Sequence, residues 1–263
     1  MPELNTETGT VRYTQTGPPD GPPVVLLHAL GLDRSFWDVQ IAALDSHYLV
    51  LAVDVLDQTQ PRRADFAPTF EELAAAAAAV IRHAQTGPAH VVGLSLGSMI
   101  AQTLALQVPP LVRSLTLIGS AATFAEAGRT AIRARAAQTR AEGMAAIAPL
   151  HLARWFTAEF TRQHPDVIER VTRTLLADDP AVHAALWEMV SGLDTLPRLP
   201  ELTCPTLVIV GAEDTSTPPS AAQQIVDAVV GARLETVPGS AHLTPLEVTE
   251  EVNTLLTEFL SAH

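Results

Sequence analysis

Little in this sequence could cross-link it, carry it into a membrane or draw it to a polyanion. It has one cysteine, Cys204, so neither an internal disulfide nor a cysteine-rich zinc site can form. That suits a reducing compartment, and a cytoplasmic location is expected. No uninterrupted apolar run reaches the length of about 18 residues that a spanning helix needs. The alanine-rich stretch from Ala74 to Val80 is far shorter and follows Glu71, Glu72 and Leu73, which predicts an ordinary helix. The N-terminal segment lacks the basic start and apolar core of a signal peptide. Sixteen basic residues stand against 29 acidic ones, a net charge of −13. A surface of that sign repels phosphate backbones and anionic lipids, so no nucleic-acid or membrane partner is expected. No phosphate-cradling or dinucleotide glycine motif, no His-Glu-x-x-His and no clustered metal ligands occur, so no cofactor or metal is expected. What remains is 263 residues, 47% hydrophobic, with a mean hydropathy of +0.20. That excludes disorder and allows one large domain or two small ones.

The apolar segments follow a rhythm. Pro23–His28, Tyr48–Val53, His90–Leu94 and Leu115–Ile118 are short apolar runs, each reading as a strand buried on both faces. Between them, Ser35–Leu44, Phe70–Ala84 and Leu96–Val108 have helical spacing, the last stopped by Pro109-Pro110. The rhythm resumes with strand Thr206–Val210, helix Ser220–Val230, strand Arg233–Val237 and helix Thr249–Leu260. Strands apolar throughout and separated by helices predict an α/β fold, a mostly parallel sheet covered by helices on both faces. From 123 to 199 no strand-like run occurs. Helices are predicted over Arg129–Ile147, His151–Phe160, Asp166–Ala177 and Pro180–Val190, the last opened by an Asp179-Pro180 cap. The expected organisation is a core domain of residues 1–122 and 200–263, with a helical cap of residues 123–199 inserted in it. Such an insert would lie over the crevice where parallel sheets bind ligands. Oligomeric state is not readable from these features.

Gly93-Leu94-Ser95-Leu96-Gly97 is a G-x-S-x-G motif between a predicted strand and a predicted helix. A nucleophilic serine needs a sharp turn to stand clear of the backbone, and the glycines remove the Cβ atoms that would clash there. The positive end of the following helix favours a developing oxyanion. A serine needs a base, and the base an orienting acid, following in the order Ser, Asp/Glu, His. After Thr206–Val210 come Glu213 and Asp214, and after Arg233–Val237 comes His242. Asp214 is the expected acid, with Glu213 the runner-up that reads better as a solvated loop charge, and His242 is the expected base.

His47, His83, His90, His151, His164, His183 and His263 have no comparable placement and read as surface or satisfied buried side chains. His28 ends a strand and opens His28-Ala29-Leu30-Gly31, where an oxyanion-binding amide is expected. The backbone N–H groups of Leu30 and Leu96 are the expected pair, with the His28 side chain a brace. Asp54, at another strand end, reads as a brace for the loop after it.

Together these residues resemble the α/β-hydrolase superfamily over almost the whole chain. Within it, three stretches are similar to the 3-oxoadipate enol-lactonases. Leu30-Gly31-Leu32-Asp33 with Phe36-Trp37-Asp38 and Gln40 resembles their oxyanion loop. Ala153-Arg154-Trp155-Phe156-Thr157 resembles their cap signature, and Ser240-Ala241-His242-Leu243 with Glu247 their histidine loop. Arg135 and Gly143-Met144 also fall where that family's cap pattern would place them. The chain departs from the pattern at Ile132, where relatives carry a tryptophan; at Val55-Leu56-Asp57-Gln58-Thr59-Gln60, where they carry an Arg-Gly-His-Gly type loop; and at Ser98, where glycine is frequent.

The resemblance implies a serine hydrolase acting on a small-molecule ester or lactone through an acyl-enzyme. An enol-lactone of the 3-oxoadipate type carries a free carboxylate, so an acidic protein needs a local cation to receive it. Arg135 and Arg154 are the candidates, with Trp155 in the same wall. A general carboxylesterase or perhydrolase, a C–C bond hydrolase and a non-catalytic ligand-binding protein of the same fold are the alternatives.

Overall fold

The computed structural model describes residues 2–6, 9–54, 56–63 and 65–263; Val55, in the departing loop, lies outside them. Eight strands form one sheet: β1 (Glu3–Thr6), β2 (Gly9–Thr16), β3 (Pro23–Leu27), β4 (Leu49–Asp54), β5 (Ala89–Leu94), β6 (Val112–Ile118), β7 (Thr206–Gly211) and β8 (Arg233–Val237). Their order is β1-β2-β4-β3-β5-β6-β7-β8. β1 and β2 pair antiparallel, as do β2 and β4, and every pairing from β4 to β8 is parallel. The expected parallel strands are all present. The sequence reading missed the two antiparallel ones. In β2 only Val11 and Tyr13 are buried, an edge-type alternation rather than a continuous apolar run.

Successive side chains leave opposite faces of a strand, so β3 supplies two cores. Val25 and Leu27 join Leu73, Ala77 and Ile100 on one face. Val24 and Leu26 join Trp37, Leu256 and Phe259 on the other. The first face is covered by α2 (Phe70–Ala84), α3 (Leu96–Gln107) and α9 (Pro219–Ala228), the second by α1 (Asp38–Leu44) and α11 (Thr249–Ser261). The alanine-rich run lies inside α2, which opens with a reciprocal capping box between Thr69 and Glu72 and ends at Gln85, φ 57°. Such a cap contributes about 1 kcal/mol. No helix among the described residues is long and apolar enough to cross a membrane.

Five helices lie between β6 and β7: α4 (Glu126–Glu142), α5 (Met144–Trp155), α6 (Ala158–Gln163), α7 (Pro165–Leu176) and α8 (Pro180–Ser191). The helix expected over Arg129–Ile147 is two helices, because Gly143 turns the chain at φ 77°. The one expected over His151–Phe160 is also divided, with Phe156 in extended conformation and Thr157 capping α6 through the Phe160 N–H at 3.2 Å. α8 opens as expected, with Asp179 accepting from Ala181 and Val182 and Pro180 in the first turn. The two chain crossings at the base of this unit are tied together by Arg129. Its guanidinium donates to the carbonyls of Phe124, Ser191 and Leu193 and to Thr123 Oγ1 at 2.7–3.1 Å.

Parallel strands end on one edge of the sheet. The end of β4 and the chain after β3, β5, β7 and β8 therefore deliver Asp54, His28–Gly31, Ser95, Asp214 and His242 to the same edge.

Candidate active site

Ser95 sits between β5 and α3 at φ 52°, ψ −115°, a conformation that costs a non-glycine residue roughly 1–3 kcal/mol. Its N–H donates to Ile118 O at 2.9 Å, and its carbonyl accepts from Ser98 N at 2.9 Å and Met99 N at 3.1 Å. Ser98 adds a side-chain bond, its Oγ donating to Ser95 O at 2.5 Å. The departing residue at that position thus holds the turn. A Cβ on Gly97 would collide with the carbonyl oxygens of Leu27 and His28, and one on Gly93 with the Gly97 carbonyl. The glycines are needed for that close approach.

His242 Nδ1 is 2.7 Å from Asp214 Oδ2. Both residues are only 2% exposed. The other carboxylate oxygen, Oδ1, accepts from Ser216 N at 2.7 Å and Thr217 N at 3.0 Å. Thr217 Oγ1 donates to Oδ2 at 2.9 Å. Burial by itself raises the Asp214 carboxyl, but the charge and hydrogen bond of His242 and the two amides outweigh it, leaving the acid below its usual range. Thr217 is a further member of the site that sequence reasoning missed. Its helix-cap-like Asp-x-x-Thr spacing was the available signal. Glu213 is exposed and takes no part in the pair.

Ser95, His242, Ala29, Leu30 and Leu96 face one cavity of about 170 Å³. Among the described residues no hydrogen bond joins Ser95 Oγ to the imidazole, and neither the Leu30 nor the Leu96 amide is used elsewhere. The loop carrying Leu30 is braced from two sides. Gln58 accepts from Gly31 N at 3.1 Å and donates to Leu32 O at 2.9 Å. Asp54 accepts from Arg34 N at 2.7 Å and is ion-paired with the Arg34 guanidinium. His28 Nδ1 contacts Ala29 O at 2.8 Å, and its Nε2 lies 3.5 Å from Asp54.

The opposite wall comes from the helices between β6 and β7. Arg135, Arg154 and Trp155 all line the cavity, with Trp187 and His151 beside them. The sequence contains no lysine, so any fixed cation here must be arginine. The two arginines differ. Arg154 is spent on the acid loop, donating to Thr215 O at 2.5 Å and Ser216 Oγ at 3.4 Å. Arg135 lies over the Trp187 ring, 4.7 Å from its centroid, and no carboxylate pairs with it among the described residues. Burial, then the charge of Arg154, lowers the Arg135 guanidinium from its usual value. The opposite charge of an anion in the cavity would offset both effects.

His151 is a correction. A surface or satisfied buried histidine is expected there, yet it is 3% exposed, lines the cavity, and its Nε2 has no hydrogen-bond partner among the described residues. Burial, followed by the nearby His183, Arg135, Arg154 and His242, pushes it down to about 2, so it is neutral at ordinary pH. Glu247 completes the site's frame. Its carboxylate accepts from Thr157 N at 2.7 Å and Ala241 N at 2.6 Å, joining the α5–α6 junction to the loop that carries His242.

Residues 24–255 match the alpha/beta hydrolase family. The chain is 28% identical to the 3-oxoadipate enol-lactonase 2 of Acinetobacter baylyi over 95% of its own length and 92% of the relative's. Among solved structures, an enol-lactonase from Burkholderia xenovorans superposes with a TM-score of 0.91 at 26% identity, covering 99% of this chain and 100% of that one. A malate-bound thermophilic esterase from Thermogutta terrifontis gives 0.89 at 27% identity, covering 99% and 98%.

Proposed function

The chain belongs to the alpha/beta hydrolase family, and from that premise we propose that it is a serine hydrolase of small esters or lactones that carry a free carboxylate. The observation that carries this reading is that one cavity holds Ser95, the Asp214-bonded His242 and an arginine without a carboxylate partner. Ser95 Oγ attacks the substrate carbonyl while His242 Nε2 takes its proton. Asp214 keeps the proton on Nδ1 and stabilises the imidazolium. The N–H groups of Leu30 and Leu96 receive the oxyanion, each worth about 3 kcal/mol of barrier. The attacking hydrogen bond closes when substrate fills the cavity. Water activated by His242 then releases the acyl group. Arg135 receives the substrate carboxylate, with Trp155 in the same wall, while Arg154 steadies the acid loop. The enol-lactonase relatives and the malate-bound esterase support an acid-bearing substrate, with an enol-lactone of the 3-oxoadipate type as the first candidate. The five helices between β6 and β7 act as the lid over it.

The test compares the mono-4-nitrophenyl ester of adipic acid, enol-lactones and the methyl-capped, neutral adipate ester. Ser95→Ala should abolish turnover of all of them and prevent labelling by a fluorophosphonate, read by intact mass. Arg135→Gln should lower kcat/KM for the anionic ester about 30-fold, the worth of a charge-assisted bond of about 2 kcal/mol, and leave the neutral ester within a few-fold. A wild type that prefers the neutral ester, unchanged by Arg135→Gln, would replace this reading with a general carboxylesterase.

A further inference from the structure

Behind the Trp187 ring lies a second histidine–carboxylate pair that takes no part in the chemistry at Ser95. His183 is fully buried and Asp178 is 6% exposed. His183 Nδ1 is 2.8 Å from Asp178 Oδ2, and the indole Nε1 of Trp187 is 3.1 Å from His183 Nε2. An indole N–H can only donate. His183 Nε2 must therefore present its lone pair, and the ring proton sits on Nδ1 and is donated to Asp178. The three side chains form a chain of hydrogen bonds with one direction, running from the ring that carries Arg135 to Asp178.

We propose that Asp178 and His183 are positioning residues that lock the Trp187 indole as the platform for the Arg135 guanidinium, and thereby set the preference for anionic substrates. The inference rests on the reading of Arg135 given above and extends it to residues that do not touch substrate. Without the His183 bond, Trp187 could turn about its side-chain torsions and Arg135 would lose the face it lies on. Two members of the chain are themselves anchored. Asp179, the next residue, caps α8 and its N–H donates to Gln58 O at 2.9 Å. The His183 ring also lies close over the oxyanion loop, since a Cβ on Gly31 would be 3.3 Å from its Cε1. Burial pushes Asp178 up to about 8 and His183 down to about 3. At neutral pH the pair is mostly uncharged and leaves the charge of Arg135 to a ligand. The positioning acts through hydrogen-bond geometry, so any good acceptor at 178 should serve.

The quantity to measure is the ratio of kcat/KM for the mono-4-nitrophenyl adipate to that for its methyl-capped counterpart. Trp187→Phe keeps a ring but removes the N–H; His183→Phe keeps the volume but orphans the indole. Each should lower the ratio about five- to tenfold, between the worth of an exposed and of a fully desolvated cation–π contact, through KM of the anionic ester rather than kcat. Asp178→Asn should retain the wild-type ratio, because its carbonyl still accepts from Nδ1–H, whereas Asp178→Leu should lose it. The ¹⁵N-indole resonance of Trp187 should move in His183→Phe and stay in Asp178→Asn, a readout independent of turnover. If Trp187→Phe and His183→Phe keep the ratio while Arg135→Gln loses it, the positioning role is overturned and the anion site stands. If Arg135→Gln also keeps it, both fall.

Discussion

The two walls of the cavity are built by different means. On the sheet side, backbone geometry does the placing. Ser95 is held at positive φ by bonds to its own N–H and C=O, Gly97 packs against the Leu27 and His28 carbonyls, and Asp214 is gripped by two amides. On the helical side, side chains hold side chains: Arg135 on Trp187, Trp187 on His183, His183 on Asp178. Backbone geometry tolerates almost no substitution at a strand end. A wall of packed rings can be exchanged without disturbing the reacting groups. The first wall suits a fixed chemistry and the second a substrate choice that can drift between relatives.

The largest expected effect tests the first wall. In Asp214→Asn the oxygen that accepts from Ser216 and Thr217 can be kept, but an amide NH₂ then faces His242 Nδ1. That nitrogen must become an acceptor, the ring proton moves to Nε2, and Nε2 can no longer take a proton from Ser95. A loss of about 10⁴ in kcat is expected. Steady-state assays on the anionic and neutral adipate esters should show the same factor, because this wall serves every substrate alike. A loss confined to one ester would break the division.

Acid stability sharpens the comparison, because each region contains a buried neutral histidine with no carboxylic acid bonded to it. In the sheet, His90 bonds Ser114 Oγ at 2.7 Å; burial, with Arg113 and His263, pushes it down to about 4. In the helical wall His151 falls to about 2. Both folded values lie below the unfolded value, so the unfolded chain takes up the protons first. Their contribution is whole above about pH 6.5 and declines as pH drops toward the folded values. From about pH 7 to about pH 5 each should cost about 2 kcal/mol. His183 and Asp178 shift in opposite directions over that interval and largely cancel. Urea titrations should show His151→Phe removing about 2 kcal/mol of the loss between about pH 7 and about pH 5. No change in that loss would mean that His151 is not held neutral by the helical wall.

The sheet was legible because its strands are apolar on both faces and its glycines answer to carbonyl contacts that any serine turn of this kind must make. The same parallel topology explains why Asp214 and His242 could be placed from their positions after strand ends. The helical wall was less legible. Helical spacing gives the face of a helix but not what that face will meet, so His151 could not be told from an ordinary buried histidine. The break at Gly143 turns on one residue's φ, which a helix-favouring neighbourhood conceals. His183 and Trp187, four residues apart on one helix, were a readable pair. Asp178 could not be joined to them without the turn that precedes α8. The loop after β4 departs from the family pattern, and only the fold reveals that its Gln58 braces the loop carrying Leu30.

The smallest expected effect falls on the joint between the two walls. Glu247 accepts from Thr157 at the helical side and from Ala241 at the His242 loop. Glu247→Gln keeps one acceptor oxygen and sets an NH₂ against the other amide, leaving one half-buried N–H unpaired. The cost should be about 1–2 kcal/mol of stability, seen as a lower urea midpoint. Kinetics then separate two kinds of joint. If Glu247 only fastens the walls together, kcat on the neutral ester changes little and the anionic-to-neutral ratio falls, because the helical wall shifts relative to a triad held by its own backbone. If kcat falls on both esters with the ratio intact, the carboxylate is instead part of the frame that aims His242, and the boundary between the two walls moves outward to include it.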